Sequence, residues 1–157
     1  MFQKIINTNN DISLFVIRVT LGIVMFAHGS QKMLGWFSDH GATWTVEMWQ
    51  KWWGFPPAVT WAVIIGEFFG PLFMVFGFCT RIMACITTAI MLGAMYFVTF
   101  KWGFYMNWYT ESTRGEGYEY HILVLGMCLA LIIKGSGKYS IDRMLMKRNN
   151  SKYTLNN

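Results

Sequence analysis

Residues 57–78 read PAVTWAVIIGEFFGPLFMVFGF, with Glu67 the one charge in the run. A bilayer core asks for about 20 mostly apolar residues at roughly 1.5 Å of rise each, and this stretch supplies them. Working outward, three further runs meet the same requirement: Ile12 to Gly29, Ile82 to Trp102, and Tyr118 to Ile133, the last being the shortest. The whole chain of 157 residues is 54% hydrophobic and 18% aromatic, and only 13% of it is charged. A soluble domain usually carries about 25% charged residues to keep its surface in water. The reading is therefore an all-α membrane protein: a four-transmembrane-helix bundle over residues 1–148, followed by a disordered polar tail at 149–157.

The net charge of +5 does not indicate a nucleic-acid partner, because the cations are not clustered with stacking aromatics on one accessible face. They sit instead at the ends of apolar runs: Lys4, Arg81, and then Lys134, Lys138, Arg143, Lys147, Arg148 and Lys152. The Phe78 to Arg81 link allows only a tight turn, so the helices on either side of it are antiparallel neighbours. An excess of Lys and Arg marks cytoplasmic segments, which places both termini and Arg81 in the cytoplasm and loops one and three outside. The first apolar run lacks a basic leader and a small-residue cleavage site, and so reads as a retained helix rather than a signal peptide. Cys79, Cys85 and Cys128 form no C-x-x-C pair, and neither a disulfide scaffold nor thiol exchange is expected.

Both outer loops are rich in tryptophan. From Thr43 to Trp53 a helical wheel gathers Thr43, Glu47, Gln50 and Lys51 in one arc and Trp44, Met48, Trp49, Trp52 and Trp53 opposite. This predicts an interfacial amphipathic helix lying flat at the outer surface, either as an anchor or as a lid, and ended by Pro56 and Pro57.

An ionisable residue inside a spanning helix costs a few kcal/mol unless paired or wetted, so each one marks a clamp or a site. Arg18 lies ten residues before His28, and Glu67 ten residues after Pro57, which puts both roughly 15 Å below the outer surface and predicts that they pair. Arg18 shares a stripe with Gly22, Met25, Gly29 and Lys32; Glu67 shares one with Thr60, Val63, Gly70, Met74 and Gly77. Small residues beside each charge permit close helix approach, and Pro71 leaves the carbonyl of Glu67 without its helical donor. With Glu119 and His121 near the outer end of the fourth run, the expected site is an outward-facing pocket holding His28, Lys32, Glu119 and His121 above an Arg18–Glu67 floor. The same groups could equally form a purely structural network of ion pairs. No HExxH or paired-histidine spacing is present, so no metal site is assigned, and His28 and His121 lie too near the surface for a bis-histidine haem.

Arg18 with Gly22, then HGSQK at 28–32, GEFFG at 66–70, GFCTR at 77–81 and GSGKYSID at 135–142 together resemble the DoxX family. The resemblance implies a small four-helix inner-membrane protein linked to respiratory or thiol redox chemistry, in some members as a subunit of quinone-reactive oxidoreductase complexes. It carries over to Arg18, His28, Lys32, Glu67, Arg81 and Asp142 as the matching polar positions. Three functions stay open at this point: a redox-associated subunit binding a quinone or similar ligand, a transporter of a small solute or protons, and a noncatalytic anchor or assembly factor. Besides the lipid bilayer, the candidate partners are a redox protein recruited through the basic tail and a second copy of the chain.

Overall fold

The computed structural model describes residues 5–155, with side chains up to residue 148, and its regular structure is all helical, with a long non-helical connection at 103–118. The helices are α1 (Ile12–Leu34), α2 (Ala42–Trp53), α3 (Pro57–Phe76), α4 (Thr80–Ala94), α5 (Glu119–Lys134) and α6 (Ile141–Leu155). Their ends follow local chemistry. The Asp11 carboxylate accepts from the Ser13 N–H at 2.8 Å and starts α1, Pro57 occupies the first turn of α3, and Gly35, Gly54 and Gly77 stop α1, α2 and α3 in the left-handed region. Beyond Ala94 the chain continues through a wide π turn at Met95–Thr99 and a tighter one at Phe100–Trp102.

Three segments are long and apolar enough to cross a membrane: Ile12–Leu34, Pro57–Phe76 and Thr80–Trp102. The segment expected as a fourth span forms α5, whose 16 residues fall short of that length. α1, α3, α4 and α5 pack in a ring, α1 on α3, α3 on α4, α4 on α5 and α5 back on α1. Inside it lie Leu14, Leu21, Met25, Met74, Ala84, Met91, Val124, Cys128 and Leu131. Outside it Val16, Ile23, Phe73, Leu92, Leu123 and Leu129 stand exposed, an arrangement suited to lipid and not to water.

Two boundaries differ from the sequence reading. α1 continues past Gly29 to Leu34, because no breaker precedes Gly35. α6 runs through Leu155, inside the stretch assigned to a polar tail; Asn156 and Asn157 lie outside the described residues. The Thr43–Trp53 helix forms as α2, with Thr43, Glu47, Gln50 and Lys51 all exposed and Trp49 and Trp53 half-buried against the rest of the molecule.

The seam between α1 and α3 is the tightest in the molecule. A Cβ on Gly29 would lie 2.0 Å from the carbonyl oxygen of Glu67, and one on Gly22 would lie 2.6 Å from the Val75 side chain and 3.0 Å from the carbonyl of Pro71. Only glycine permits this approach. Gly29→Ala should therefore force the helices apart and cost about 1–3 kcal/mol, whereas Gly93→Ala, which meets open space, should be neutral or stabilising. Thermal unfolding in detergent checks this: a lowered midpoint for the first variant alone is expected, and an unchanged midpoint for Gly29→Ala contradicts the seam.

Candidate functional site

Arg18 is fully buried, and it does not meet Glu67. Its guanidinium donates to five carbonyls. Nε reaches Ser136 at 2.9 Å, Nη1 reaches Met74 at 2.9 Å and also Val75, and Nη2 reaches Tyr139 at 2.8 Å and Lys138 at 3.3 Å. Met74 and Val75 belong to the last turn of α3, which runs out of helical N–H donors, although the Met74 carbonyl also accepts from the capping Gly77 N–H at 3.0 Å. A planar cation with five N–H groups satisfies them and tethers the α5–α6 connection to the same point. The predicted pair fails on depth. With Gly29 set against Glu67, Arg18 falls opposite Met74, seven residues and about 10 Å further along α3.

Two other charges at this end, Asp142 and Arg81, also serve helix termini. The buried Asp142 carboxylate accepts from the N–H groups of Cys79 at 2.7 Å and Thr80 at 3.0 Å, capping the start of α4. Arg81 donates to Ile132 and to Ile133 at 3.1 Å, closing the end of α5, and to Asn7 at 3.1 Å. Burial, and then the neighbouring Asp142 carboxylate, push the Cys79 thiol up, so it is not an activated thiolate.

At the opposite end Lys32 and Glu67 form an ion pair, their side chains 23% and 5% exposed. The pair sits at the wall of a cavity of about 610 Å³. Trp49 and Trp53 of α2, Phe55, Val63 of α3, Ile90 of α4 and Phe97 of the π turn form its apolar lining. His121 of α5 completes the polar side, and its Nδ1 is buried without a hydrogen-bond partner. Space for this cavity comes from small residues on α4, Ala89, Gly93 and Ala94, and from the widened turn that follows them.

Of the six residues expected to share a site, Lys32, Glu67 and His121 line this cavity, His28 stands close by outside it, and Arg18 and Glu119 lie elsewhere. His28 is exposed at the side of α1 that meets Tyr120 of α5, with ring centroids 6.0 Å apart, within electrostatic reach of Lys32, Glu67 and His121 but outside the cavity lining. Its position 80° from Arg18 on the helix already turned it off the buried stripe. Glu119 holds the third loop: its Oε1 accepts from Trp108 Nε1–H at 2.9 Å and from the Met106 N–H at 3.2 Å. Trp49 and Trp53 come from the helix that the sequence offered as an anchor or a lid, whereas Phe97, in the third apolar run, carries no charge or motif that marks it. Among the described residues no three of His, Cys, Asp and Glu gather as a metal would require.

The family model described as DoxX matches residues 13–100. Among curated proteins, the chain is 28% identical over 138 residues to an inner membrane protein of Escherichia coli (strain K12), YqjF, covering 88% of this chain and 95% of that one. It is also 28% identical over 150 residues to an uncharacterized protein of Haemophilus influenzae, covering 92% and 90% respectively. No solved structure matches it.

Arg18→Ala takes a donor from five buried or half-buried carbonyls, of which Met74 keeps the Gly77 N–H, and should cost about 3 kcal/mol or more, lowering the thermal midpoint and the yield of folded protein. Arg18→Lys should not restore it, because a point ammonium cannot span the fork. Full stability in either variant, read by thermal unfolding, would contradict the clamp.

Proposed function

The chain belongs to the DoxX family, and from that premise we propose that it is a redox-associated inner-membrane protein that holds the ring of a quinone, or a similar amphipathic small ligand, beneath the tryptophan helix. The relative from Escherichia coli is named an inner membrane protein, which supports the location. In this reading α5, about 24 Å long, crosses as a fourth span in a locally thinned bilayer. The end carrying Arg81 and α6 faces the cytoplasm, and α2 lies flat on the outer surface.

The observation that carries the reading is the composition of the cavity: aromatic and aliphatic walls with a polar corner made of Lys32, Glu67 and His121. Sites for small ligands run about 300–1,000 Å³ and are mostly apolar with a few polar groups that orient the ligand. A quinone ring fits such a space. The unpartnered His121 imidazole can hydrogen-bond a ring oxygen, and the Lys32 ammonium can stabilise negative charge on one. A bound quinone supplies acceptance of two electrons and two protons. Glu67 holds the ammonium of Lys32 in place, and Trp49 and Trp53 screen the corner from water. Between this corner and Arg18 the core is filled by Leu21, Met25, Met74 and Val124, which favours a binding site over a path through the bundle.

Titrating purified protein with a short-chain ubiquinone while following tryptophan fluorescence tests this. Saturable quenching is expected from Trp49 and Trp53, weakened about 5–10-fold in His121→Ala by loss of one hydrogen bond. Gly93→Leu grows into open space and should abolish binding while the protein stays folded. Absence of saturable quenching, or an affinity indifferent to both variants, would overturn the reading.

A further inference from the structure

A second cavity, of about 580 Å³, lies at the Arg18 end of the molecule, beside the start of α6. Lys138, Arg143 and Lys147 line it together with Phe76, Tyr139 and Met144, and no carboxylate does. We propose that this cleft binds the headgroup of an anionic phospholipid, the phosphate held by Lys138, Arg143 and Lys147 and the upper acyl chains lying against Phe76, Tyr139 and Met144. The inference is independent of the quinone reading.

Three observations support it. The cations are unpaired: none of them forms an ion pair among the described residues, where Lys32–Glu67 is the salt bridge present. The two nearest acidic groups are already engaged, Asp142 in the N–H groups that start α4 and Asp11 in capping α1. Next, the apolar members are turned outward, Phe76 being 61%, Tyr139 66% and Met144 65% exposed, so a phosphate-seeking surface and an acyl-seeking surface meet in one cleft. Finally, the position is that of lipid headgroups, since α1 begins, α3 ends and α5 ends at this level. A soluble anion would need the cations alone. The apolar collar calls for a lipid.

The cleft is also held in shape. Arg18 fixes the carbonyls of Ser136, Lys138 and Tyr139, and the Gly137 N–H donates to Thr8 Oγ1 at 2.6 Å and the Lys138 N–H to the Asp11 carbonyl at 3.0 Å. Tyr139 adopts a left-handed backbone, φ 55°, packs edge-on against Phe15, and carries the Lys138 ammonium 4.9 Å from its ring centroid. Two of the three cations thus project from backbone that the core immobilises or from the first turn of α6.

The test is native mass spectrometry of the full chain released from micelles containing equal amounts of phosphatidylglycerol and phosphatidylcholine. Wild-type protein should retain the anionic lipid in roughly fivefold preference. Lys138→Gln/Arg143→Gln/Lys147→Gln should bring the ratio to parity, Arg143→Gln alone should lower it part of the way, and Lys51→Gln/Lys101→Gln at the other end should leave it unchanged. Parity in the wild type, or preference that survives the triple replacement, overturns the proposal. Displacement of the retained lipid by millimolar inorganic phosphate also overturns it, identifying a free-anion site instead.

Discussion

The carbonyl of Glu67 has no donor within its own helix, because the residue four places on is Pro71, and it lies against the bare Cα of Gly29. With Gly22 against Pro71 and Val75, this contact fixes the antiparallel register of α1 and α3 to a single setting. Nearly every other polar placement follows from that register. Lys32, almost one turn beyond Gly29, arrives beside the Glu67 carboxylate. Arg18, three turns before Gly29, arrives at the frayed carbonyls that end α3.

The seam therefore separates the buried charges by task. At one end Arg18, Arg81 and Asp142 are each committed to helix termini or connecting loops, with donors and acceptors matched. In an apolar solvent such groups have no water to fall back on, so a bundle with short turns needs them as closures. At the other end Lys32 and Glu67 neutralise one another, and the His121 Nδ1 beside them stays unmatched. Thr60 and Thr80 also bury an unmatched hydroxyl oxygen, but only at His121 does an unmatched group coincide with aromatic walls and space among the described residues, which is why binding is sought there.

Much of this was legible in the sequence, and the parts that were not share a cause. Run length and composition locate the helices, and the wheel over Thr43–Trp53 picks out the exposed Thr43, Glu47, Gln50 and Lys51, but it set Trp52 inward, where it is exposed, and missed the buried Thr45. Glycines on one stripe with Arg18 mark the seam. Depth was the weak link: taking His28 as the outer end of the first helix placed Arg18 level with Glu67, whereas α1 continues to Leu34 and slides Arg18 about 10 Å away. Glu119 looked like a pocket residue by position in the chain, but its fate was decided by Trp108 and Met106, in a loop with no periodicity to read. The cavity itself arises from Ala89, Gly93 and Ala94 and a π turn, features that carry no charge and leave no mark in a search for ionisable groups.

The division between a clamp and a binding end is tested most directly by replacing both members of the ion pair, Lys32→Met with Glu67→Met. Apolar residues of similar volume commonly substitute for a buried pair without loss of stability. The account predicts a thermal midpoint within a few degrees of the wild type, while the upward shift produced by a short-chain ubiquinone disappears. A midpoint that falls as far as that of Arg18→Ala, with the ligand-induced shift intact, would contradict it.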